Sequence, residues 1–372
     1  MTSSTSNISN PIITSSSDDA EKDRNITVSI HDSASIKSSW EKISASFNEA
    51  SKVSLTHDPR WLSVLETGMK HRPYCLLAEQ PGQPATPLML SYMSSPLFGR
   101  FLVSLPFLNS SGLSTCDSLV ARKLIEAASE LADKLDVRYL ELRNEQEYTH
   151  EKLTATMSSK VHMRLALPDS ADELWDSFKP KVRNQIRKGQ SHEPEVVWGK
   201  QNLLSDFYQV FSRNMRDLGT PVYGKKLFQA IINQFPEEAE FCVLRAAGKP
   251  IAAALLTHGS GITEVPCAST LREFNPTNAN MLMYWHLLQR AIERNQHTFD
   301  FGRSTTDGGT YRFKKQWGAK PCPAIWQYYV RKGTISDMRP EGGKYNRVID
   351  LWKRLPVPVT RLIGPSIVCG IP

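Results

Sequence analysis

Residues 241–267 read FCVLRAAGKPIAAALLTHGSGITEVPC, in which three apolar runs are separated by two short segments rich in glycine. Apolar runs of this length between turn residues are typical of β-strands. We therefore predict three strands, at Phe241–Ala246, Ile251–Thr257 and Ile262–Cys267. Asn280–Arg294 follows with the length and spacing of a helix, and Thr298–Gly302 is predicted to be a fourth strand.

The first half of the chain carries the same order of elements. Strands are predicted at Tyr74–Ala78, Leu88–Tyr92 and Phe101–Leu105, before a helix at Ser118–Leu135 and a strand at Val137–Leu142. The offset between the two sets is 167 residues at Tyr74 and Phe241, and 160 residues at Tyr139 and Phe299. Because five elements recur in one order at nearly one spacing, we predict an internal duplication.

This element order predicts an α/β (α+β) fold of two tandem domains resembling GNAT acyltransferases. Each domain is expected to hold a mixed, mostly antiparallel sheet flanked by helices. Residues 1–24 are polar and rich in Ser and Thr, which predicts a disordered segment. The predicted divisions are 1–24, an N-terminal domain at 25–154, a C-terminal domain at 155–335 with extra helices at 169–218, and a C-terminal extension at 336–372.

The composition restricts the classes of partner and compartment. The 372 residues include 45 Lys and Arg against 38 Asp and Glu, a net charge of +7. This basic excess suits a polyanion such as tRNA, a nucleotide sugar or coenzyme A, although a solvated basic surface would look the same. The six cysteines show no metal-binding spacing, so no metal is expected. The chain lacks a signal peptide and a long apolar run, which predicts a soluble, cytoplasmic protein.

The segment Phe299–Trp317 is the best-marked candidate site. An apolar strand ends here, and Gly302 permits a backbone turn that other residues resist. Arg303 and Ser304 then stand at the carboxyl end of the strand, where α/β folds often place ligands. Asp300 is a candidate general base at the same strand end.

The helix predicted after Gly308-Gly309 carries the second part of this site. Lys314 faces the loop, where a cation could stabilise the oxyanion of acyl transfer or bind a phosphate; the alternative is a solvated lysine. Asp307 is a second candidate base and a candidate cap for the helix. Phe313 and Trp317 are four residues apart and are predicted to be core, whereas Tyr311 is included among the substrate-binding residues.

A basic helix is predicted after Phe178, with five cations and no acid between residues 179 and 188. Arg183 and Arg187 are four residues apart and can grip one phosphate chain together, with Lys181 and Lys188 beside them. A solvated basic face is an equally weighted alternative. The loop Leu105–Leu113 is a further candidate, whose Asn109 could line a substrate cleft unless the loop is an ordinary connector.

Several of these motifs resemble the FemAB-like family associated with exosortase (PEP-CTERM) and exopolysaccharide gene clusters. They are Phe299-Asp-Phe-Gly-Arg-Ser with Tyr311-Arg-Phe-Lys-Lys-Gln-Trp-Gly, Lys181-Val-Arg-Asn-Gln-Ile-Arg-Lys, His57-Asp-Pro-Arg-Trp and Trp352-Lys-Arg-Leu-Pro. The resemblance covers about residues 40–360. It implies a tandem GNAT-like fold and transfer of amino acids from aminoacyl-tRNA to peptidoglycan precursors, with Lys314 assisting transfer.

The first hypothesis is therefore acyl transfer, aminoacyl or other, to an amine of a cell-envelope, peptidoglycan or exopolysaccharide precursor. Its catalytic residues would be Lys314, Arg303 and Asp300. No cofactor is expected to bind tightly, and aminoacyl-tRNA or acyl-CoA would be the co-substrate. Expected partners are a phosphorylated or nucleotide-linked precursor, tRNA and a membrane surface, but not DNA.

Two alternatives stay open. The first is a GNAT N-acetyltransferase that uses acetyl-CoA. The segment Asn275–Asn280 stands at the pyrophosphate position of such enzymes but contains no glycine, so backbone amides approach a pyrophosphate less easily. The second alternative is a non-catalytic module that binds an anionic polysaccharide precursor.

Overall fold

The structure, a computed structural model, describes residues 25–49, 54–334 and 346–372. The predicted disordered segment at 1–24 lies outside the described residues. The strands are β1 (Thr27–Asp32), β2 (Arg72–Glu79), β3 (Thr86–Ser95), β4 (Gly99–Val103), β5 (Tyr139–Asn144), β6 (Ala155–Met157), β7 (Lys160–Ala166), β8 (Glu195–Gly199), β9 (Ala239–Ala246), β10 (Lys249–Gly259), β11 (Ile262–Thr270), β12 (Thr298–Thr305), β13 (Lys320–Pro323) and β14 (Ile325–Val330). The helices are α1 (Ser33–Ser38), α2 (Trp40–Glu49), α3 (Arg60–Met69), α4 (Ser118–Lys134), α5 (Ala171–Ser177), α6 (Pro180–Gln190), α7 (Leu204–Leu218), α8 (Lys225–Gln234), α9 (Ala279–Glu293), α10 (Gly309–Lys315), α11 (Asn346–Arg354) and α12 (Val357–Val368).

The strands form two mixed sheets of seven strands each. The first sheet has the order β1-β2-β3-β4-β5-β14-β6, and the second has the order β13-β7-β12-β11-β10-β9-β8. Each sheet has one parallel pair, β4–β5 in the first and β11–β12 in the second. The predicted α/β fold of two tandem mixed sheets flanked by helices is confirmed.

The two sheets exchange strands. β6 and β7 follow one another in the chain, yet β6 pairs in the first sheet and β7 in the second. β13 and β14 also follow one another in the chain, but β13 pairs in the second sheet and β14 in the first, where it lies between β5 and β6. The chain therefore crosses between the sheets twice, and these crossings hold the two units side by side. The division at residue 155 stays a prediction.

In each unit, the long helix that follows the three repeated strands packs on the sheet. In the first unit, Asp117 caps α4 because its Oδ1 accepts the backbone N–H groups of Leu119 and Val120. The inner face of α4 buries Leu124 completely, in the core beneath β2 and β5. Shortening such a side chain to alanine costs about 2–5 kcal/mol. The equivalent helix α9 buries Leu287 in the core of the second sheet.

The pairing of β11 with β12 ends early. Parallel pairing joins Ile262–Glu264 to Thr298–Asp300, after which β11 remains paired with β10 and β12 with β7. The two central strands therefore part beyond Glu264 and Asp300. A gap between central strands at their carboxyl ends is a position where α/β folds bind ligands.

Candidate active site between the two sheets

A cavity lies where β11 and β12 part. Residues 107–110 of the first unit form one wall. The strands of the second sheet form the other wall, which includes His162, Arg164, Glu264, Asp300 and Gly302. The cavity volume is about 20 Å³, the space of about one water molecule. It therefore admits a reacting group such as an amine, while the rest of a substrate lies outside.

Asp300 and Arg164 form the fixed part of the site. Asp300 is 3% exposed. Its Oδ1 accepts the backbone N–H of Gly302 at 2.7 Å, and its Oδ2 accepts Arg164 Nε at 2.9 Å. Both terminal nitrogens of Arg164 also donate to Glu145, at 2.5 and 2.7 Å. Burial raises the pKa of Glu145, but the ion pair with Arg164 outweighs burial and lowers it to about 2. One guanidinium thus donates hydrogen bonds to two carboxylates.

Glu264 is the third carboxylate of the site, and it lies opposite Asp300 in the parallel ladder. Within the described residues its side chain makes no ion pair and accepts one hydrogen bond, from Ser54 Oγ at 2.8 Å. Burial and then the negative charge of Asp300 raise the pKa of Glu264 above its ordinary value. A carboxyl group in this state can take up and release a proton near neutral pH, as a general base must.

His162 is buried beside these acids without a partner. It is 1% exposed, and neither ring nitrogen makes a hydrogen bond to any described residue. Its Nδ1 lies 3.7 Å from Asp300 Oδ2, too far for a good hydrogen bond. Burial lowers the pKa of His162 more than Asp300 raises it, so the ring is neutral at pH 7. A buried polar group without a partner requires an explanation, which a bound ligand would supply.

In the first unit, an arginine side chain occupies the equivalent place among the described residues. The parallel pair of this unit ends at Glu141, and the residue two positions later is Arg143, which corresponds to Gly302. The buried guanidinium of Arg143 donates to Glu141 at 2.7 Å and to the carbonyl oxygens of residues 106 and 108. Arg143 therefore fills the gap in the first unit, whereas Gly302, at φ +78°, leaves it open in the second.

Three of the predicted site residues line the cavity: Asp300, Gly302 and Asn109. Arg303 lies next to them, with its guanidinium carbon 3.3 Å from the centroid of the Trp326 ring. The indole N–H of Trp326 donates to the carbonyl oxygen of Asn109 at 3.2 Å. Arg303 therefore contacts Trp326, which in turn binds the cavity wall that the first unit contributes.

Lys314 lies behind the cavity wall and does not line it. Its Nζ donates to the carbonyl oxygens of Gly302 at 2.9 Å and Arg303 at 3.1 Å, which holds α10 against the end of β12. The side chain is buried, at 8% exposure. Burial lowers the pKa of Lys314 to about 8, and Asp300 opposes this effect only in part. The geometry indicates a support for the strand end, and an oxyanion role stays a prediction.

The other predicted residues of this segment are distributed differently. Tyr311 belongs to the hydrophobic core of the second sheet, together with Trp317. Ser304 is buried on β12, and its hydroxyl has no hydrogen-bond partner among the described residues. The prediction that Asp307 caps the helix is wrong, because Gly308 occupies the cap position and Asp307 is exposed in a left-handed turn.

The basic residues of α6 lie apart from the cavity. Val182 and Ile186 are buried in the second core, and α6 packs on α9. The opposite face presents Lys181, Arg183, Arg187 and Lys188. Of these, Arg187 lies over the ring of Trp175 and Arg183 approaches Asp176 at 3.9 Å. None of the four lines the cavity, so phosphate binding by this helix stays a prediction.

Four residues of the site are absent from the sequence-based prediction: Glu145, His162, Arg164 and Glu264. A weak signal was present, because His162 and Arg164 alternate along one strand and therefore share one face of the sheet. Glu264 is an acid within an apolar strand run. In the described part of the chain, no group of three or more His, Cys, Asp or Glu side chains is arranged to hold a metal ion.

Comparisons with known proteins agree with this topology. Residues 176–315 match the family model described as an acetyltransferase (GNAT) domain. The crystal structure of FemX aligns with a TM-score of 0.61 at 13% identity, covering 81% of this chain and 98% of that chain. The C-terminal domain (DUF2156) of a putative lysylphosphatidylglycerol synthetase from Agrobacterium fabrum aligns with a TM-score of 0.51 at 10% identity, covering 80% and 93%.

No curated protein sequence matches the chain. At their low identity, the two structural alignments show the fold alone. The family match includes Glu264, Asp300 and Gly302 of the cavity. The second unit, which carries most of the cavity, therefore contains the segment that matches the acetyltransferase (GNAT) family model.

Proposed function

We propose that the protein transfers an acyl group, in the first place an aminoacyl group, to an amine of a cell-envelope, peptidoglycan or exopolysaccharide precursor. The observation that carries the proposal is that Glu264 lies opposite Asp300 in the parallel ladder and that both residues line a cavity large enough for an amine group. An amine nucleophile arrives mostly protonated at neutral pH and must lose a proton before it attacks. Glu264, whose pKa is raised, is suited to take that proton.

The proposed reaction proceeds by attack of the amine nitrogen on the carbonyl carbon of the donor. A C–N bond forms, and the bond from the acyl carbon to the oxygen or sulfur of the donor breaks. An ammonium group loses two protons on becoming an amide nitrogen. Glu264 takes the first and releases it to solvent, then takes the second from the attacking nitrogen and passes it to the leaving oxygen or sulfur. Arg164 Nε and the backbone N–H of Gly302 hold the Asp300 carboxylate in place, and neutral His162 offers a hydrogen bond to the bound amine or carbonyl group.

The choice of an aminoacyl donor has separate support. The FemAB-like motifs at Phe299–Ser304 and Tyr311–Gly318 imply aminoacyl-tRNA as donor. The similar domain from Agrobacterium fabrum is named for the synthesis of a lysylated phospholipid, which contains an aminoacyl ester. The donor would enter as a co-substrate, with no tightly bound cofactor in the reaction.

Acetyl transfer from acetyl-CoA is the second candidate, and the match to the acetyltransferase family model favours it. The segment before α9 argues against it. Arg272–Thr277 forms a short 3₁₀ helix without glycine, and α6 packs so closely here that a Cβ on Gly189 would lie 3.1 Å from the Asn278 carbonyl oxygen. This packing narrows the approach of a pyrophosphate to the first turn of α9.

The test is a transfer assay that pairs two donors with two acceptors. The donors are a pool of aminoacyl-tRNA and acetyl-CoA; the acceptors are a UDP-linked peptidoglycan precursor and a nucleotide-linked amino sugar. Mass spectrometry of the acceptor identifies the group added, with Glu264→Gln as the inactive control. Transfer from aminoacyl-tRNA supports the proposal, and transfer from acetyl-CoA alone selects the second candidate. Salt-sensitive binding of an acceptor without turnover would support a binding module instead.

A further inference from the structure

The exposed apolar side chains of this protein are concentrated at its C-terminal helices. Nine large apolar side chains are exposed in the described residues, and six of them belong to residues 346–372. Leu351 on α11 is 63% exposed, and Leu362 on α12 is 78% exposed. Single exposed apolar residues are common on protein surfaces, but such a concentration indicates an interaction surface.

The apolar residues share one face on each helix. On α12, Val359, Leu362 and Ile363 are separated by three and four residues and point outward, while Gly364 and Val368 are buried underneath. On α11, Leu351 lies between Arg347 and Arg354, four residues after the first and three before the second. We call this outward surface of α11 and α12 the C-terminal face.

Cations lie on the C-terminal helices and on the segments that contact them. Residues 346–372 contain four Lys or Arg and one Asp. Exposed Lys225 and Lys226 begin directly after Gly224, where an added Cβ would lie 3.5 Å from Pro365 of α12. Lys70 is exposed and precedes His71, whose Nε2 lies 2.8 Å from the carbonyl oxygen of Cys369. An apolar face bordered by cations has the chemistry of a surface that binds anionic lipids.

The dimensions of α12 suit a position on a membrane surface. α12 has 12 residues, whereas a helix crossing a bilayer needs about 20 apolar residues. No helix in the described ranges is long and apolar enough to cross a membrane. A second copy of the chain is a poorer occupant, because a two-fold contact would place Arg347 and Arg354 near the same residues of the other copy.

We infer that the C-terminal face docks the protein on an anionic lipid surface, with Leu351 and Leu362 entering the boundary between headgroups and acyl chains. α12 packs on Val222 through Gly364, and the neighbouring Tyr223 ring lies 5.3 Å from the ring of Phe107 in the cavity wall. The buried side of α12 is therefore connected to the cavity wall through Val222, Tyr223 and Phe107. The inference concerns binding alone and holds whichever acyl donor is used.

The test is flotation of the full chain with vesicles. Vesicles of phosphatidylcholine alone are compared with vesicles that mix phosphatidylcholine and phosphatidylglycerol. We expect binding to the mixed vesicles, weakened by salt. Leu351→Ser and Leu362→Ser should each lower the partition coefficient about tenfold, a change of ~1.4 kcal/mol. Arg354→Gln should lower it about fivefold on the mixed vesicles alone, because one cation near an anionic surface contributes about that much.

The matched control is Ile30→Ser, which removes an aliphatic side chain of 45% exposure on β1, outside the C-terminal face. It should leave vesicle binding unchanged. Thermal melting of each variant separates loss of binding from loss of folding. Equal flotation of wild type and the Leu351→Ser/Leu362→Ser variant would overturn the inference. So would a wild-type dimer that this variant dissociates, without binding of either form to vesicles, because the occupant would then be a second copy.

Discussion

Replacement of Glu264 by glutamine should make the protein less active and more stable at alkaline pH. Glutamine has nearly the same shape, and its Oε1 can still accept the hydrogen bond from Ser54. It lacks the negative charge that lies opposite Asp300. The substitution therefore measures the free-energy cost of the charge while the packing of the side chain stays nearly the same.

The size and sign of the stability change follow from proton linkage. The pKa of Glu264 is higher in the folded protein than the ordinary value of 4.5, so the folded state binds the proton more tightly. The free energy of unfolding consequently falls as pH rises from 4.5 through the folded-state pKa. A partly buried carboxylate that lies beside a like charge costs roughly 1–3 kcal/mol. Glu264→Gln should raise the free energy of unfolding by about this amount near pH 9 and leave it unchanged near pH 4.

Two measurements on the same preparations test this prediction. Urea denaturation near pH 4 and near pH 9 gives the free energies of unfolding, and the transfer assay gives kcat. Loss of a general base should lower kcat by about 10²–10⁴-fold. Glu147→Gln is the matched control, because this glutamate is exposed two residues from Glu145 and should change neither quantity.

The reasoning fails in either of two ways. A Glu264→Gln protein that unfolds more easily than wild type near pH 9 would mean that the charge of Glu264 is compensated in the folded state. A variant that retains full kcat would remove Glu264 from the reaction and leave His162 as the base that faces the cavity.

Two further changes test the supports of the cavity. Arg164→Met should lower the free energy of unfolding by about 3 kcal/mol, because Asp300 and Glu145 both lose their countercharge. The control is Arg245→Met, which removes one partner of a surface ion pair. If Arg164→Met lowers the free energy of unfolding no more than this control does, the prediction is contradicted. Lys314→Met should abolish a rise in wild-type stability between about pH 8 and pH 10.5, the range in which the unfolded state binds more protons. Urea denaturation across that range measures it, and an unchanged slope would refute the lowered pKa.

The sequence predicts those parts of the fold that depend on local patterns. Both sets of three strands, helix and strand occur as expected, because apolar runs, turn residues and helical spacing are read within short windows. The exchange of β7 and β14 between the sheets is not visible in this way. β14 is adjacent in sequence to β13, yet it pairs with β5, more than 180 residues earlier.

The candidate site shows the same division. Asp300 and Gly302 were predicted because they stand at a recognisable strand end. Glu264 was not, since its role depends on the register that sets it opposite Asp300. Lys314 stays a predicted catalytic residue, but the sequence pattern does not reveal that its ammonium group donates to two backbone carbonyls. Register and side-chain direction are tertiary properties, which a local pattern does not determine.

Comparison of the two units provides a last test. They differ in which side chain occupies the gap where the two parallel strands of each sheet separate. Arg143 fills the gap in the first unit, and Gly302 stands at the equivalent position in the second. Gly302→Arg should place a guanidinium in the cavity of about 20 Å³ and abolish transfer. The substitution also forces a side chain onto a backbone at φ +78°, which costs roughly 1–2 kcal/mol.

Gly302→Ala separates the two effects. Its added Cβ would lie 3.5 Å from Asn109 Nδ2, an ordinary contact, so alanine brings the same backbone strain without filling the cavity. Both variants should lose similar stability in urea denaturation, while only Gly302→Arg should lose transfer. If the two variants lose activity equally, the open space beside Gly302 is not what distinguishes the second unit from the first. If only the arginine variant is inactive, the difference between the units follows from this one position.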